Sequence, residues 1–165
     1  MKTVAGIFDS EIVADRALGE LLEEGFSRDD ISLVMSDKTR DRLFSSTDDE
    51  ANRVAKGGAL GAAIGGAFGA LAAGLTTIGI IAIPGGSLLA VGPLVAALSG
   101  AGLGATVGGL SGALINAGFA ADDANRYEED VKRGKAVIVV HASNDNKAVI
   151  AESVLNHSGA VTKAA

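Results

Sequence analysis

The sequence has no cysteine and no tryptophan, and among its 165 residues there are only two prolines and one tyrosine. Without cysteine there is no disulfide framework, no thiolate nucleophile and no zinc–cysteine cluster. Basic residues are the minority, 14 against 20 acidic. The resulting net charge of −6 repels phosphate and argues against a nucleic-acid partner. The length fits one ordinary domain and leaves no room for a second catalytic module.

The most informative absence is local. From Gly57 to Ala121 there is no Asp, Glu, Lys, Arg or His, and this run of 65 residues holds 18 of the 23 glycines and both prolines, Pro84 and Pro93. All charge is therefore segregated to residues 1–56, which carry −5, and 122–165, which carry −1. This partition predicts one polar domain, built from 1–56 together with 122–165, interrupted by an apolar insert at 57–121.

The flanks alternate strand and helix. Thr3–Phe8 is a short apolar run suited to a buried strand. Ser10 is placed to cap a helix with its side chain. Val13, Ala17, Leu18, Leu21 and Leu22 then form an apolar stripe opposite Glu11, Asp15, Glu23 and Glu24. Gly25 is the expected helix stop, with Phe26 folding back after it. Ile31–Met35 reads as a second strand. In the C-terminal flank, a helix from Asp122 to Arg133, a strand over Lys135–Ala142, a helix starting at Asp145 or Asn146, and a short edge strand at Ala160–Ala164 follow in turn. The expected fold is α+β: a ferredoxin-like βαβ-αβαβ sandwich with four strands and helices on one face, interrupted by an apolar glycine-zipper helical hairpin.

The insert repeats itself. Gly57, Gly61, Gly65 and Gly69 recur every four residues, and so do Gly100, Gly104, Gly108 and Gly112, with Asn116 in the same register. A shift of 43 positions also superposes Leu60 on Leu103 and Ala70-Leu71 on Ala113-Leu114. On a helix, a four-residue period places the glycines on one face, where a second helix approaches to backbone contact. In water each helix-interior glycine costs about 1 kcal/mol relative to alanine. Neither segment has the charged face of a soluble amphipathic helix. These features predict two membrane spans, Gly57–Gly79 and Leu94–Gly118, each near the roughly 20 residues that cross a bilayer. Ile80–Pro93 links them, with its turn at Pro84-Gly85-Gly86, and a longer, tilted first helix ending at Ile83 is equally compatible. The other way to hide such a surface is inside a closed soluble assembly. A two-span hairpin returns to its starting side, and the basic residues beside it, Arg53, Lys56, Arg126, Lys132, Arg133 and Lys135, place both termini in the cytoplasm.

Candidate chemistry is sparse. His141 ends a strand and His157 ends a helix, each without companion ligands, so no metal or cofactor is expected and a structural role is favoured. The acid pairs Glu23-Glu24, Asp29-Asp30, Asp48-Asp49, Asp122-Asp123 and Glu128-Glu129 read as caps and solvated faces, because adjacent side chains diverge on a helix. Ser10, Ser27 and Ser32 read as caps and turns.

The run VAGIFDSEIVADRALGELLEEGFSRDDISLV resembles the N-terminal segment of the bacterial general stress protein 17M-like (heat-induced stress protein) family. The later runs AIPGG, VGPLVAALSGAG, GGLSGALINAG and ANRYEEDVKRGKAVIVV are similar to small bacterial membrane proteins that join such a segment to a glycine-rich core. The chain departs from the resemblance at Ile83-Pro84-Gly85-Gly86-Ser87, where a tighter turn is expected. The resemblance implies a stress-associated bacterial protein and supplies no catalytic residues. Together these features predict a non-enzymatic inner-membrane protein with the lipid bilayer as partner, self-associating as a homo-oligomer through its glycine faces to stabilise or scaffold the membrane. The alternatives are an oligomeric pore, or a membrane-anchored ferredoxin-like domain that senses a ligand.

Overall fold

A computed structural model describes residues 2–36, 38–39, 78–83, 86–95 and 109–164. Six strands make one antiparallel sheet: β1 (Lys2–Phe8), β2 (Ile31–Ser36), β3 (Ile78–Ile83), β4 (Gly86–Val91), β5 (Ala136–Ala142) and β6 (Val161–Ala164), in the order β3-β4-β2-β5-β1-β6. Four helices accompany them among the described residues: α1 (Glu11–Glu23), α2 (Gly109–Asn116), α3 (Ala121–Lys132) and α4 (Asp145–His157).

The elements form for local reasons the sequence displays. Gly25 takes φ +79° after α1, and Phe26 N–H closes back on the Leu21 carbonyl at 3.1 Å, a left-handed stop that buries Phe26. Ser27 caps a 3-10 turn at Arg28–Asp30 through a reciprocal box with the Asp30 carboxylate. One cap differs from expectation. The Ser10 side chain makes no cap bond, and its carbonyl alone starts the α1 ladder at Ala14. Helix α4 is capped by Asn144, whose side chain accepts from Lys147 N–H at 2.8 Å.

β5 is the spine. It pairs with β1 from Lys2↔Ala142 to Phe8↔Ala136, and with β2 from Ile31↔Val140 to Val34↔Val137. Since β1 and β2 are both antiparallel to β5, they run parallel to each other, joined by α1. By the same logic β5 and β6, on either side of β1, run parallel and are joined by α4.

Helices cover both faces, not one. On the first face, Val4, Phe8, Ile31, Leu33, Ile138 and Val140 pack under α1 and α4, which contribute Leu18, Leu21, Ala151 and Leu155. On the second, Ala5, Ile7, Val34, Val137 and Val139 pack under α2 and α3, which contribute Leu110, Leu114, Tyr127 and Val131. A sheet buried on both sides needs apolar residues at consecutive positions rather than alternate ones. β2 is accordingly buried at every residue.

The insert departs furthest from expectation. The segment expected as a linker between spans is a β-hairpin, with β3 and β4 paired from Ile78↔Val91 to Ile83↔Gly86 around Pro84 and Gly85. β4 continues the sheet beyond β2, from Leu33↔Val91 to Ser36↔Leu88. The sheet therefore has six strands rather than four. The described part of the second expected span, Leu94–Gly118, includes an eight-residue helix packed on the domain. No described helix is long and apolar enough to cross a membrane. Gly57, Gly61, Gly65, Gly69, Gly100, Gly104 and Gly108 lie outside the described residues.

Candidate functional site

Polar side chains gather at three seams where described segments join the sheet. Where the chain leaves β2, the Ser36 hydroxyl lies 3.1 Å from Thr39 Oγ1, which donates to the Gly134 carbonyl at 2.8 Å. That chain of hydroxyls ties the exit of β2 to the turn between α3 and β5. Both Ser36 and Thr39 are buried.

The second seam follows β4. Gly92 takes φ +97°, and a Cβ there would stand 2.3 Å from the Ile31 carbonyl oxygen and 2.9 Å from Ser32 Cα. Only glycine lets the turn press this closely on β2. Two residues on, Leu94 N–H donates to Ser32 Oγ at 3.0 Å. On its other side Ser32 Oγ lies 3.5 Å from His141 Nε2. Burial holds the His141 imidazole below its ordinary pKa, and the Asp30 carboxylate partly opposes that shift.

Serine, histidine and aspartate thus converge, but not as a hydrolytic triad. Ser32 is 0% exposed, so its hydroxyl cannot reach a substrate. Asp30 Oδ2 accepts from Ser27 N–H and Ser27 Oγ, which commits that carboxylate to the cap. Ser32 acts instead as the acceptor that fixes Leu94, one residue before the described part of this seam ends at Val95.

The third seam is the return at α2. The Glu128 carboxylate reaches across from α3 and accepts from Ser111 N–H at 2.9 Å, at the first turn of α2, while Lys132 Nζ donates to its other oxygen at 2.6 Å. Burial alone would raise the Glu128 pKa. The hydrogen bonds from Lys132 and Ser111 outweigh it and hold the carboxyl below its ordinary value. Its neighbour Glu129 points elsewhere, pairing with Arg133 at 3.3 Å. Tyr127, one residue before Glu128, is buried beneath α3 and donates to the Ala5 carbonyl at 3.1 Å.

Two residues of the second glycine repeat lie within the described part. On α2, Leu110, Ala113 and Leu114 face the sheet, whereas Gly112 is half-buried and Asn116 exposed beside Ile115. Asn116 therefore lies on the side turned away from the sheet.

Elsewhere among the described residues, charged side chains pair with one another. Lys135 bridges Asp9 at 3.0 Å and Asp130 at 3.2 Å, and those partners raise its pKa. His157 sits in the last turn of α4. Among the described residues no three His, Asp or Glu side chains gather as metal ligands. A depression of about 410 Å³ runs along α3, lined by Asp122, Asn125, Arg126, Glu128, Glu129 and Lys132. Sequence reasoning missed the Ser32–Leu94 and Glu128–Ser111 contacts, which join residues 62 and 17 positions apart. The glycine at 92, between a strand and Pro93, was the one local signal of a tight turn at the former. The chain matches no family model, no curated protein and no solved structure.

Proposed function

We propose that this chain is a non-enzymatic, stress-associated bacterial protein that self-associates at the inner membrane through its glycine repeats, with the folded domain and both termini on the cytoplasmic side. The observation that carries this reading is the outward side of α2. There the second repeat ends with Gly112 half-buried and Asn116 exposed, while the sheet takes up Leu110, Ala113 and Leu114. The stress association rests on the resemblance of the N-terminal segment.

The domain reads as a ferredoxin-like core. Its four flanking strands, taken in chain order, stand fourth-first-third-second across the sheet, and each of its two βαβ units is split by a strand of the other. The β3–β4 hairpin extends one edge, and α2 with α3 closes the face that such a core leaves open.

The manner of membrane contact follows from chain length. After subtracting the hairpin and α2, the uncharged stretches are 57–77 and 96–108, 21 and 13 residues. The described residues on either side of each stretch belong to the same sheet and its helices, hence to one side of a bilayer. Each connection must then cross an even number of times, and two crossings need roughly 40 apolar residues. Neither stretch suffices. A pore, which needs paired crossings, is disfavoured.

Flotation with phosphatidylethanolamine–phosphatidylglycerol vesicles, combined with light-scattering mass, tests the reading. Wild-type protein is expected to float and to form assemblies that shrink in the Gly65→Leu/Gly108→Leu variant. Protein that stays at the bottom of the gradient, with a mass indifferent to both substitutions, overturns it.

A further inference from the structure

The two edges of the sheet are unlike. β6 is four residues long and carries Lys163, the short, charged form by which edges resist pairing. β3 has six residues, Ile78-Gly79-Ile80-Ile81-Ala82-Ile83, with no charge and no proline, and among the described residues β4 alone pairs with it, on its inner side. Such a strand presents a row of outward backbone N–H and C=O groups to any strand that comes alongside.

We propose that β3 pairs antiparallel with β3 of a second copy, joining two six-stranded sheets into one continuous sheet about a two-fold axis. The inference goes beyond the self-association reading: to the contact through the glycine repeats at the membrane it adds a second one, on the hairpin, that forms without lipid. Directly opposed residues of antiparallel strands share a face, so the axis perpendicular to the sheet must pass through a residue position. An axis at Ile80 sets Gly79 opposite the partner's Ile81, and Ile78 opposite the partner's Ala82. An axis at Ile81 sets Ile80 opposite the partner's Ala82, and Gly79 opposite the partner's Ile83. In both registers a small residue meets a large one on either side of the axis.

Charge selects a copy of this chain as the occupant. At a net charge of −6, two copies repel through their flanks, whereas β2, β3 and β4 contain no ionisable residue. The least repulsive approach is therefore along the β3 edge. A basic partner would be drawn to the acidic flanks instead.

The test is the mass of lipid-free full-length protein, read together with hydrogen exchange across 78–83. Wild type is expected at twice the 16.4 kDa chain mass, with inner and outer β3 amides alike protected, and outer-amide protection lost on dilution. The Ile80→Lys/Ile81→Lys variant, with one charge on each face of the strand, is expected at the single-chain mass with only the alternate, β4-bonded amides protected. Val161→Lys on β6 and Gly65→Leu/Gly108→Leu are each expected to leave the two-copy species intact. A wild-type monomer, outer amides protected irrespective of concentration (the mark of an occupant from the same chain), or a dimer lost in Val161→Lys instead would overturn the proposal. A two-copy species lost only in the glycine variant overturns it too, while leaving self-association through the repeats standing.

Discussion

The Gly92 backbone presses on the Ile31 carbonyl so closely that a methyl group at residue 92 would stand 2.3 Å from the oxygen. Gly25 also has positive φ, at +79°, but nothing lies within 4 Å of the position a Cβ would take. The two glycines separate conformational strain from collision. Gly25→Ala carries strain alone, about 1–2 kcal/mol. Gly92→Ala adds a clash with backbone that cannot yield without moving β2 or β4, and is expected to cost about 3–5 kcal/mol. Urea unfolding of both variants checks this. Equal losses would mean that the hairpin does not dock on β2 as described.

Ser32 and His141 make that docking pH-dependent. Ser32 Oγ accepts from Leu94 N–H and lies 3.5 Å from His141 Nε2. Burial lowers the folded-state pKa of His141, so the unfolded chain binds this proton first as pH falls. Its contribution to stability is complete above the unfolded value of about 6.5 and is lost as pH drops through the lower folded value. His141→Gln is expected to flatten that part of the stability–pH curve. Ser32→Ala, which leaves the buried Leu94 N–H without its acceptor, is expected to cost about 1–3 kcal/mol and to speed exchange of the Leu94 amide.

The Glu128 carboxylate works in a more acid window. Its folded pKa is below the ordinary glutamate value because Lys132 and Ser111 favour the ionised form against the cost of burial. The stability it contributes is present above the unfolded pKa and disappears as pH falls through the lowered folded one. Glu128→Gln is therefore expected to lower stability at neutral pH and to match wild type once the wild-type carboxyl is protonated. Urea midpoints measured from pH 7 down to 3 test it, and a gap that persists at pH 3 would assign Glu128 a role other than charge.

Much of the flanking fold was legible because local rules wrote it. The Gly25 stop with Phe26 behind it, the Ser27–Asp30 cap and the apolar runs at 3–8, 31–35 and 135–142 each need only a few neighbouring residues. The hairpin was half legible. The sequence marks a turn at Pro84-Gly85-Gly86, but the absence of charge around it reads as lipid exposure, whereas β4 buries Leu88 and Ala90 on one face of the sheet and Val91 on the other. The same ambiguity hid the second helical layer. ISLVM and AVIVV are apolar at nearly every position, which in an antiparallel sheet signals two covered faces, yet each also fits a strand with one face covered. The seams were not legible, because Ser32–Leu94 and Glu128–Ser111 depend on how distant elements stack.

Tyr127 tests that second layer directly, because it is the one tyrosine in the chain. It is 2% exposed between α3 and the sheet, with its hydroxyl on the Ala5 carbonyl and the Phe119 ring edge-on at 6.1 Å. Burial above all, with the Asp123 carboxylate adding to it, pushes the phenol pKa well above its ordinary value of 10. Every phenolate signal near 295 nm comes from this residue, so a spectroscopic titration reads one site. As long as the domain stays folded, absorbance is expected to remain flat through pH 10–11 and then to rise together with loss of the far-ultraviolet dichroism. Tyr127→Phe should cost about 1 kcal/mol, the net value of one hydrogen bond, while keeping the ring packing. If Tyr127 titrated reversibly near pH 10 in the folded protein, α3 would not cover the sheet, and the layer that sets this chain apart from a sandwich with one open face would be absent.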